Sequence, residues 1–286
     1  MTVDGAIHPP GSDSAEGAAF ADILCAVDGS PESFAAVEQA AGLAGRGGHL
    51  TLLEVTSYDF QGANRGPAVG PLQAKRTLDR AAELAREAGV SATVEVDPES
   101  PPAQVVLDWA AERDLLAIGA PTTSWFRGMF TSGVAVSAEG SFSTPLLIAR
   151  LAREVPTADR HILVASDGQE GSDQLVELAA GLARAQGADV TLVHAVGHGS
   201  GARRRRVEEQ ARALSQLADP ASELRLERGH ARTVIVETAG SIGASLIVMG
   251  SRRLTGPLVL GSVSRRVVHQ GHCSVLLVPP ERLLAG

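Results

Sequence analysis

The 286-residue sequence contains few cysteines, few aromatic residues and no long apolar segment. Its two cysteines, Cys25 and Cys273, cannot form a disulfide framework, so a reducing cytoplasmic location is the default expectation. No apolar run approaches the roughly 20 residues of a membrane span. The N-terminus also lacks the basic segment followed by an apolar one that is typical of a signal peptide. We therefore expect no association with membranes.

Positive charge is also scarce, because 25 Lys and Arg residues stand against 33 Asp and Glu residues and give a formal net charge of −8. This balance argues against general binding of nucleic acid or anionic lipid surfaces. Hydrophobic residues make up 44% and charged residues 20% of the sequence, which are values typical of globular proteins. The length is sufficient for two domains of ordinary size, each with its own core.

The order of predicted elements occurs twice along the chain. Apolar strands alternate with amphipathic helices, and Asp28-Gly29 after the first strand corresponds to Asp167-Gly168 in the second copy. Continuous apolar strands between helices predict parallel sheets covered on both faces, which is an α/β fold. We assign residues 1–19 to a disordered arm, 20–150 to the first domain, 151–159 to a linker, 160–280 to the second domain and 281–286 to a tail.

The sequence also predicts where helices begin and which strands are exposed to pairing. Ser30 is placed to cap the first helix, and Pro31 suits its first turn. The last strand of each copy, Leu146–Ala149 and Val275–Val278, is short and apolar. Unpaired apolar edges invite association, so we expect these strands to pair either between the two domains or between two chains.

The stretch from Leu246 to Val278 has the layout of a phosphate-binding segment. A buried strand leads into a glycine-containing loop, and a helix opens at Gly261-Ser262. A loop of this kind directs backbone N–H groups and the positive end of a helix dipole at one point, which suits phosphate. An altered version spans Leu115 to Ala149. Ligands of parallel sheets bind beyond the carboxyl ends of strands, where Asp28, Asp167, Gly119 and Gly250 are expected.

Several segments together resemble the universal stress protein family in its tandem form. They are ILCAVDGSPES, ILVASDGQEGS, VTLVHAV, LIVMGS and GSVSRRVVHQGHCSVLLV, and the resemblance covers nearly everything from Ile23 to Pro279. It implies two Rossmann-like domains of the adenine nucleotide alpha hydrolase type, each a five-stranded parallel sheet between helices. It also implies dimer-like packing through the last strands and a regulatory role linked to stress.

Some members of this family bind ATP and others do not. The binding members resemble a pattern of Gly, two residues, Gly, nine residues, Gly and then Ser or Thr, together with an Asp after the first strand. The resemblance implies equivalent positions in the second half of this chain. These are Ala165, Ser166 and Asp167 for the nucleoside, Met249 and Gly250 for the start of the loop, and Gly261, Ser262 and Val263 for the phosphates.

Both halves depart from that pattern. In the second half Arg253 holds the second glycine position, and only residues 254–260 separate it from Gly261. Arg253 would either disturb the loop or supply a phosphate partner. In the first half Gly119 is followed by Thr122 where glycine is expected, although Asp28 remains. A β-branched residue adopts the backbone conformations of glycine poorly, so we expect a degraded first site and little effect of Gly119→Glu on binding.

The first half departs again further along, where Ser132-Gly133 replaces the expected Gly-Ser.

Two other groups of residues invite a chemical interpretation. His269, His272 and Cys273 lie close together, but structural zinc needs four ligands and no second cluster exists in the sequence, so we expect no metal site. The four arginines 203–206 either form a solvated helix face or reach a nucleotide or an acidic partner.

Three functions remain open on this basis. The first is a regulatory protein that binds ATP, with or without Mg²⁺, in at least the C-terminal domain. The second is a partner-binding scaffold without nucleotide. The third is a slow ATPase, for which the sequence offers no evident general base or water-positioning residue beside the loop. Retention of Asp167, Gly250, Gly261 and Ser262 favours the first function, whereas Arg253 and the altered first copy favour the second.

Overall fold

The computed structural model describes residues 20–45, 47–56, 70–98, 102–120, 144–151, 160–197, 201–218, 221–251 and 261–279. The first half contains β1 (Asp22–Ala26), α1 (Pro31–Ala44), β2 (His49–Val55), α2 (Pro71–Glu87), β3 (Ser91–Asp97), α3 (Pro102–Ala110), β4 (Leu115–Gly119) and β5 (Leu146–Ala149). The second half contains β6 (His161–Ala165), α4 (Gly171–Gln186), β7 (Asp189–Val196), α5 (Gly201–Leu217), β8 (Ser222–Arg228), α6 (Ala231–Ser241), β9 (Leu246–Gly250), α7 (Ser262–Gln270) and β10 (Ser274–Val278).

The strands form one ten-stranded sheet in the order β3-β2-β1-β4-β5-β10-β9-β6-β7-β8. Neighbouring strands are parallel within each half, which confirms the α/β prediction. The two halves meet where β5 pairs antiparallel with β10, with Ile148 opposite Val275. Of the two arrangements expected for the last strands, the structure therefore shows pairing between the domains of one chain.

Two layers of helices cover the sheet. One cluster of buried residues packs α1, α2, α4 and α5 against one face, and a second packs α3, α6 and α7 against the other. Strand residues such as Leu52 and Leu163 are fully buried, and each such side chain contributes about 2 kcal/mol through removal from water. No helix among the described residues is long and apolar enough to cross a membrane.

Helix α1 begins as the sequence predicts. The Ser30 hydroxyl accepts a hydrogen bond of 3.1 Å from the Ser33 backbone N–H, and Pro31 occupies the first turn. The cap satisfies one of the N–H groups that a helix start leaves unpaired. This start lies directly after Asp28, at the edge of the sheet where the candidate sites are expected.

Candidate functional site

In the second half, β6 and β9 are neighbours and bring two predicted site segments to the same edge. Ala165 lies opposite Met249 in the register, so the turn at Asp167 and the glycine at Gly250 both follow directly at the carboxyl ends of these strands. Gly250 is exposed, whereas the Met249 side chain is buried in the core. Met249 can therefore contribute only its backbone to a ligand at this edge.

The carboxylate of Asp167 stabilises its own turn through one oxygen. Its Oδ1 accepts hydrogen bonds of 3.0 Å from the Gln169 backbone N–H and of 3.0 Å from the Ser172 hydroxyl at the start of α4. Asp167 is exposed. Hydrogen bonds among the described residues leave Oδ2 available, and this oxygen can accept a hydrogen bond from a ligand hydroxyl.

The side chain of Ser166, one of the residues predicted to lie near the nucleoside, points into the protein. It is buried, and its hydroxyl donates a hydrogen bond of 2.6 Å to Oε1 of Gln210 on α5. The same hydroxyl accepts a hydrogen bond of 3.0 Å from the Gly168 backbone N–H. Ser166 therefore anchors the turn to α5, and only its backbone lies near the proposed nucleoside position. Ala165 is half-buried.

Helix α7 opens at the same edge with an uncapped N-terminus. Gly261 is the residue that precedes the helix, and no side chain among the described residues caps it. A Cβ atom at Gly261 would meet only the Ser264 hydroxyl, at 3.6 Å. Ser262 is exposed and Val263 is half-buried. Hydrogen bonds within the described ranges thus leave the first N–H groups of α7 available to an anion, in keeping with the predicted phosphate role.

Several residues on which the two halves were predicted to differ lie outside the described residues. These are Arg253 in the second half, and Thr122, Ser132 and Gly133 in the first. The proposals made for them from the sequence remain predictions. The comparison between the halves therefore depends on the turns and on the strand ends.

Gly119, the counterpart of Gly250, has a different environment. It is buried, and a Cβ atom added to it would lie 2.6 Å from the backbone carbon of Glu32 and 2.6 Å from the backbone nitrogen of Ser33. Such distances are too short for any side chain, so this glycine allows α1 to pack closely against the end of β4. Gly119→Glu would disturb α1 itself, which makes it an unsuitable test of ligand binding in the first half.

Asp28 forms a turn similar to that of Asp167. Its Oδ1 accepts a hydrogen bond of 3.0 Å from the Ser30 backbone N–H, and its own N–H donates to the Ser33 hydroxyl at 3.4 Å. The first half thus retains the acidic turn. Its glycine is buried against the start of α1, whereas Gly250 in the second half is exposed. The segment between β4 and β5, which corresponds to α7, lies outside the described residues.

Two buried polar residues near these turns were not identified from the sequence. Glu54 is only 2% exposed, and neither carboxylate oxygen has a hydrogen-bond partner among the described residues. Burial, followed by the charge of Asp28, raises the pKa of Glu54 to about 7. His194 is 4% exposed; its Nδ1 donates a hydrogen bond of 2.8 Å to the carbonyl of Ser166. A sequence signal was available, because Glu54 is the one acidic residue of the strand HLTLLEV and stands between apolar Leu53 and Val55.

Two of the four arginines at the start of α5 form ion pairs with nearby acidic residues. Arg206 forms an ion pair with Asp173, and Arg204 forms one with Glu208 at 2.9 Å. Asp173 also accepts a hydrogen bond of 2.7 Å from Gln210, which extends the network beneath Ser166. Arg206 therefore stabilises the junction between α4 and α5. No group of three potential metal ligands lies together among the described residues.

These features define a tandem α/β protein in which the glycine at the end of β9 is exposed and its counterpart at the end of β4 is buried. Both halves match the model of the universal stress protein family, over residues 19–150 and 159–279. The chain belongs to this family. A curated relative, the universal stress protein in QAH/OAS sulfhydrylase 3'region of Thermus aquaticus, is 35% identical over 132 residues, covering 41% of this chain and 96% of its own.

Solved structures share the complete tandem fold. A universal stress protein from Archaeoglobus fulgidus DSM 4304 superposes with a TM-score of 0.70 at 20% identity, covering 92% of this chain and 97% of its own. A putative universal stress protein from Pseudomonas aeruginosa UCBPP-PA14 superposes with a TM-score of 0.62 at 21% identity, covering 93% and 95%. Similarities at this level of identity show the fold alone.

Proposed function

We propose that this universal stress protein is a regulatory protein that binds one adenine nucleotide, ATP, per chain in its second half. The observation that carries the proposal is the open edge formed by exposed Gly250 beside the uncapped start of α7. A parallel sheet places its ligands beyond such an edge, and an uncapped helix start favours phosphate. The exposed Asp167 turn lies at the end of the neighbouring strand.

Each residue has a distinct role in this proposal. The free Oδ2 of Asp167 accepts a hydrogen bond from a ribose hydroxyl. The N–H groups of Ser262 and Val263 donate to the phosphates, with the Ser262 hydroxyl as a further donor. Gly250 allows the nucleotide to approach the backbone closely. Arg253 supplies a positive charge to the phosphates, with or without Mg²⁺ between them.

The first half has a structural or partner-binding role in this proposal. Its glycine Gly119 is buried against α1, and the start of α1 is capped by Ser30. The close contact between Gly119 and α1 leaves no room for a nucleotide beside this glycine, in contrast to the exposed Gly250. If the second half also bound no nucleotide, the whole chain would be a partner-binding scaffold, which is the alternative that the experiment must separate.

The test is Gly261→Glu, measured by calorimetric titration with ATP in the presence and absence of Mg²⁺. A carboxylate beside the α7 N-terminus would repel phosphate and occupy its place, so we expect binding to fall at least tenfold. The matched control is Gly42→Glu, because Gly42 is exposed on α1 and a Cβ there meets nothing within 4 Å. Wild-type affinity in Gly261→Glu, with its fold intact by circular dichroism, would overturn the proposed site.

A further inference from the structure

The two halves place different polar residues at one equivalent buried position. In the first half Asp22 lies opposite His49, and in the second half His161 lies opposite Asp189. Glu54 lies five residues after His49 in β2, and His194 lies five residues after Asp189 in β7. The two residues therefore occupy equivalent positions. Both side chains are almost completely buried, and both carry polar atoms without a hydrogen-bond partner among the described residues.

The backbone around this position is the same in both halves. The Val27 N–H donates a hydrogen bond of 2.8 Å to the Leu53 carbonyl, as the Ser166 N–H donates one of 3.0 Å to the Val193 carbonyl. In the second half the next carbonyl, that of Ser166, accepts from His194 at 2.8 Å. At the equivalent position in the first half, the carbonyl of the buried Val27 is therefore the acceptor that we expect for a donor on the β2 side chain.

An ionised Glu54 cannot serve as this donor, because a carboxylate only accepts hydrogen bonds. The described groups that neighbour it also offer no positive charge. Its partner residue in β3 is Val96, and the buried side chains that α1 and α2 place near the Asp28 turn are Ser33 and Thr77. Within the part of the chain that the structure describes, the charge that acts on Glu54 is the negative one of Asp28.

Charged residues of α2 do not compensate. Lys75 pairs with Asp79 at 2.7 Å and Arg80 pairs with Glu83 at 2.7 Å, all on the exposed side of the helix. The least costly state of a buried carboxyl without donors or cations is the neutral acid, which has one O–H to donate.

We propose that the first half contains a proton-operated switch. In this switch, neutral Glu54 donates a hydrogen bond to the carbonyl of Val27, as His194 does to the carbonyl of Ser166 in the second half. When Glu54 loses its proton to solvent, a carboxylate faces both that carbonyl and the Asp28 carboxylate. The repulsion loosens the Asp28–Ser30 turn and with it the cap of α1. The pKa of about 7 places this transition within the physiological pH range. The switch operates without any nucleotide in the second half.

The experiment is a carbon-13 NMR titration of the glutamate side-chain carboxyls in the full chain between pH 5 and 9. The Glu54 signal is assigned by its absence in Glu54→Gln. We expect a midpoint near pH 7. Asp28→Asn removes the adjacent negative charge, so the midpoint should shift to lower pH. A midpoint in the ordinary range of glutamate, or one that Asp28→Asn leaves in place, would overturn the proposal.

Hydrogen exchange provides the structural readout. The amides of Ser33 and Phe34, which bond to Ser30, should lose roughly fivefold protection above the transition, about the worth of one hydrogen bond. Glu54→Gln keeps a donor at every pH, so its α1 amides should show no such loss after correction for intrinsic exchange. The same loss in Glu54→Gln would show that another group operates the switch and would refute the role of Glu54.

Discussion

Arg150, the residue after β5, joins the first half to the helix that opens at the proposed nucleotide site. Its Nη2 donates a hydrogen bond of 2.6 Å to the carbonyl of Val268 in the last turn of α7. Its backbone N–H donates to the Ser274 hydroxyl at 3.0 Å, and its carbonyl accepts a hydrogen bond of 2.9 Å from Gln39 of α1. One residue thus contacts α1, β10 and α7.

Replacing Arg150 with alanine removes the side-chain bond and leaves the two backbone bonds in place. A hydrogen bond from a charged donor contributes about 1.5–3 kcal/mol. A positive charge at a helix C-terminus adds about 0.3–1 kcal/mol. Arg150 is half-buried, so solvent screens part of this energy. We expect Arg150→Ala to lower the free energy of unfolding by about 2 kcal/mol.

The assay is equilibrium denaturation in urea, combined with hydrogen exchange of the α7 amides. Arg150→Lys keeps a charge near the helix end and should recover less than half of the loss, since its single ammonium group cannot reproduce the planar fork. Exchange should accelerate mainly in the last turn of α7. If Arg150→Ala unfolds at the wild-type urea midpoint and its α7 amides keep their protection, the coupling between the halves does not depend on this bond.

Three further predictions follow from buried groups. Gly119→Ala should lower stability by about 1–3 kcal/mol in urea denaturation because its Cβ would contact α1 backbone at 2.6 Å; an effect as small as that of Gly42→Ala would contradict this packing. The folded state raises the pKa of Glu54 from 4.5 to about 7, so stability should fall by about 3 kcal/mol as the pH rises through that interval and then level off. Glu54→Gln should abolish this part of the stability profile, and its persistence would assign the effect to another group. Burial raises the pKa of both Cys25 and Cys273, so neither thiol should react with an aromatic disulfide reagent before unfolding, and prompt reaction of either would contradict their burial.

Local signals in the sequence were sufficient for the elements and their order. Ser30 and Pro31 predicted the start of α1 because capping depends on neighbouring residues alone, and the Gly261-Ser262 pair predicted the start of α7. The apolar strands predicted a parallel sheet because both of its faces are buried. These inferences need no knowledge of distant contacts.

Features that depend on distant contacts could not be predicted in the same way. The sequence left open whether β5 and β10 pair within or between chains, because an apolar edge does not specify its partner. The burial of Gly119 depends on the approach of α1, whose start lies far away in the sequence. The inward direction of Ser166 depends on Gln210 of α5. The signal at Glu54 was present but becomes informative only when the two halves are superposed.

The nucleotide content of the purified chain distinguishes directly between one site, two sites and none. The protein is denatured, and the released nucleotide is identified and quantified by chromatography against protein concentration. An open second half and a closed first half predict about one ATP per chain. Two per chain would show that the first half is not closed. No nucleotide, together with no thermal shift on addition of ATP and Mg²⁺, would contradict the proposed site and leave the partner-binding scaffold.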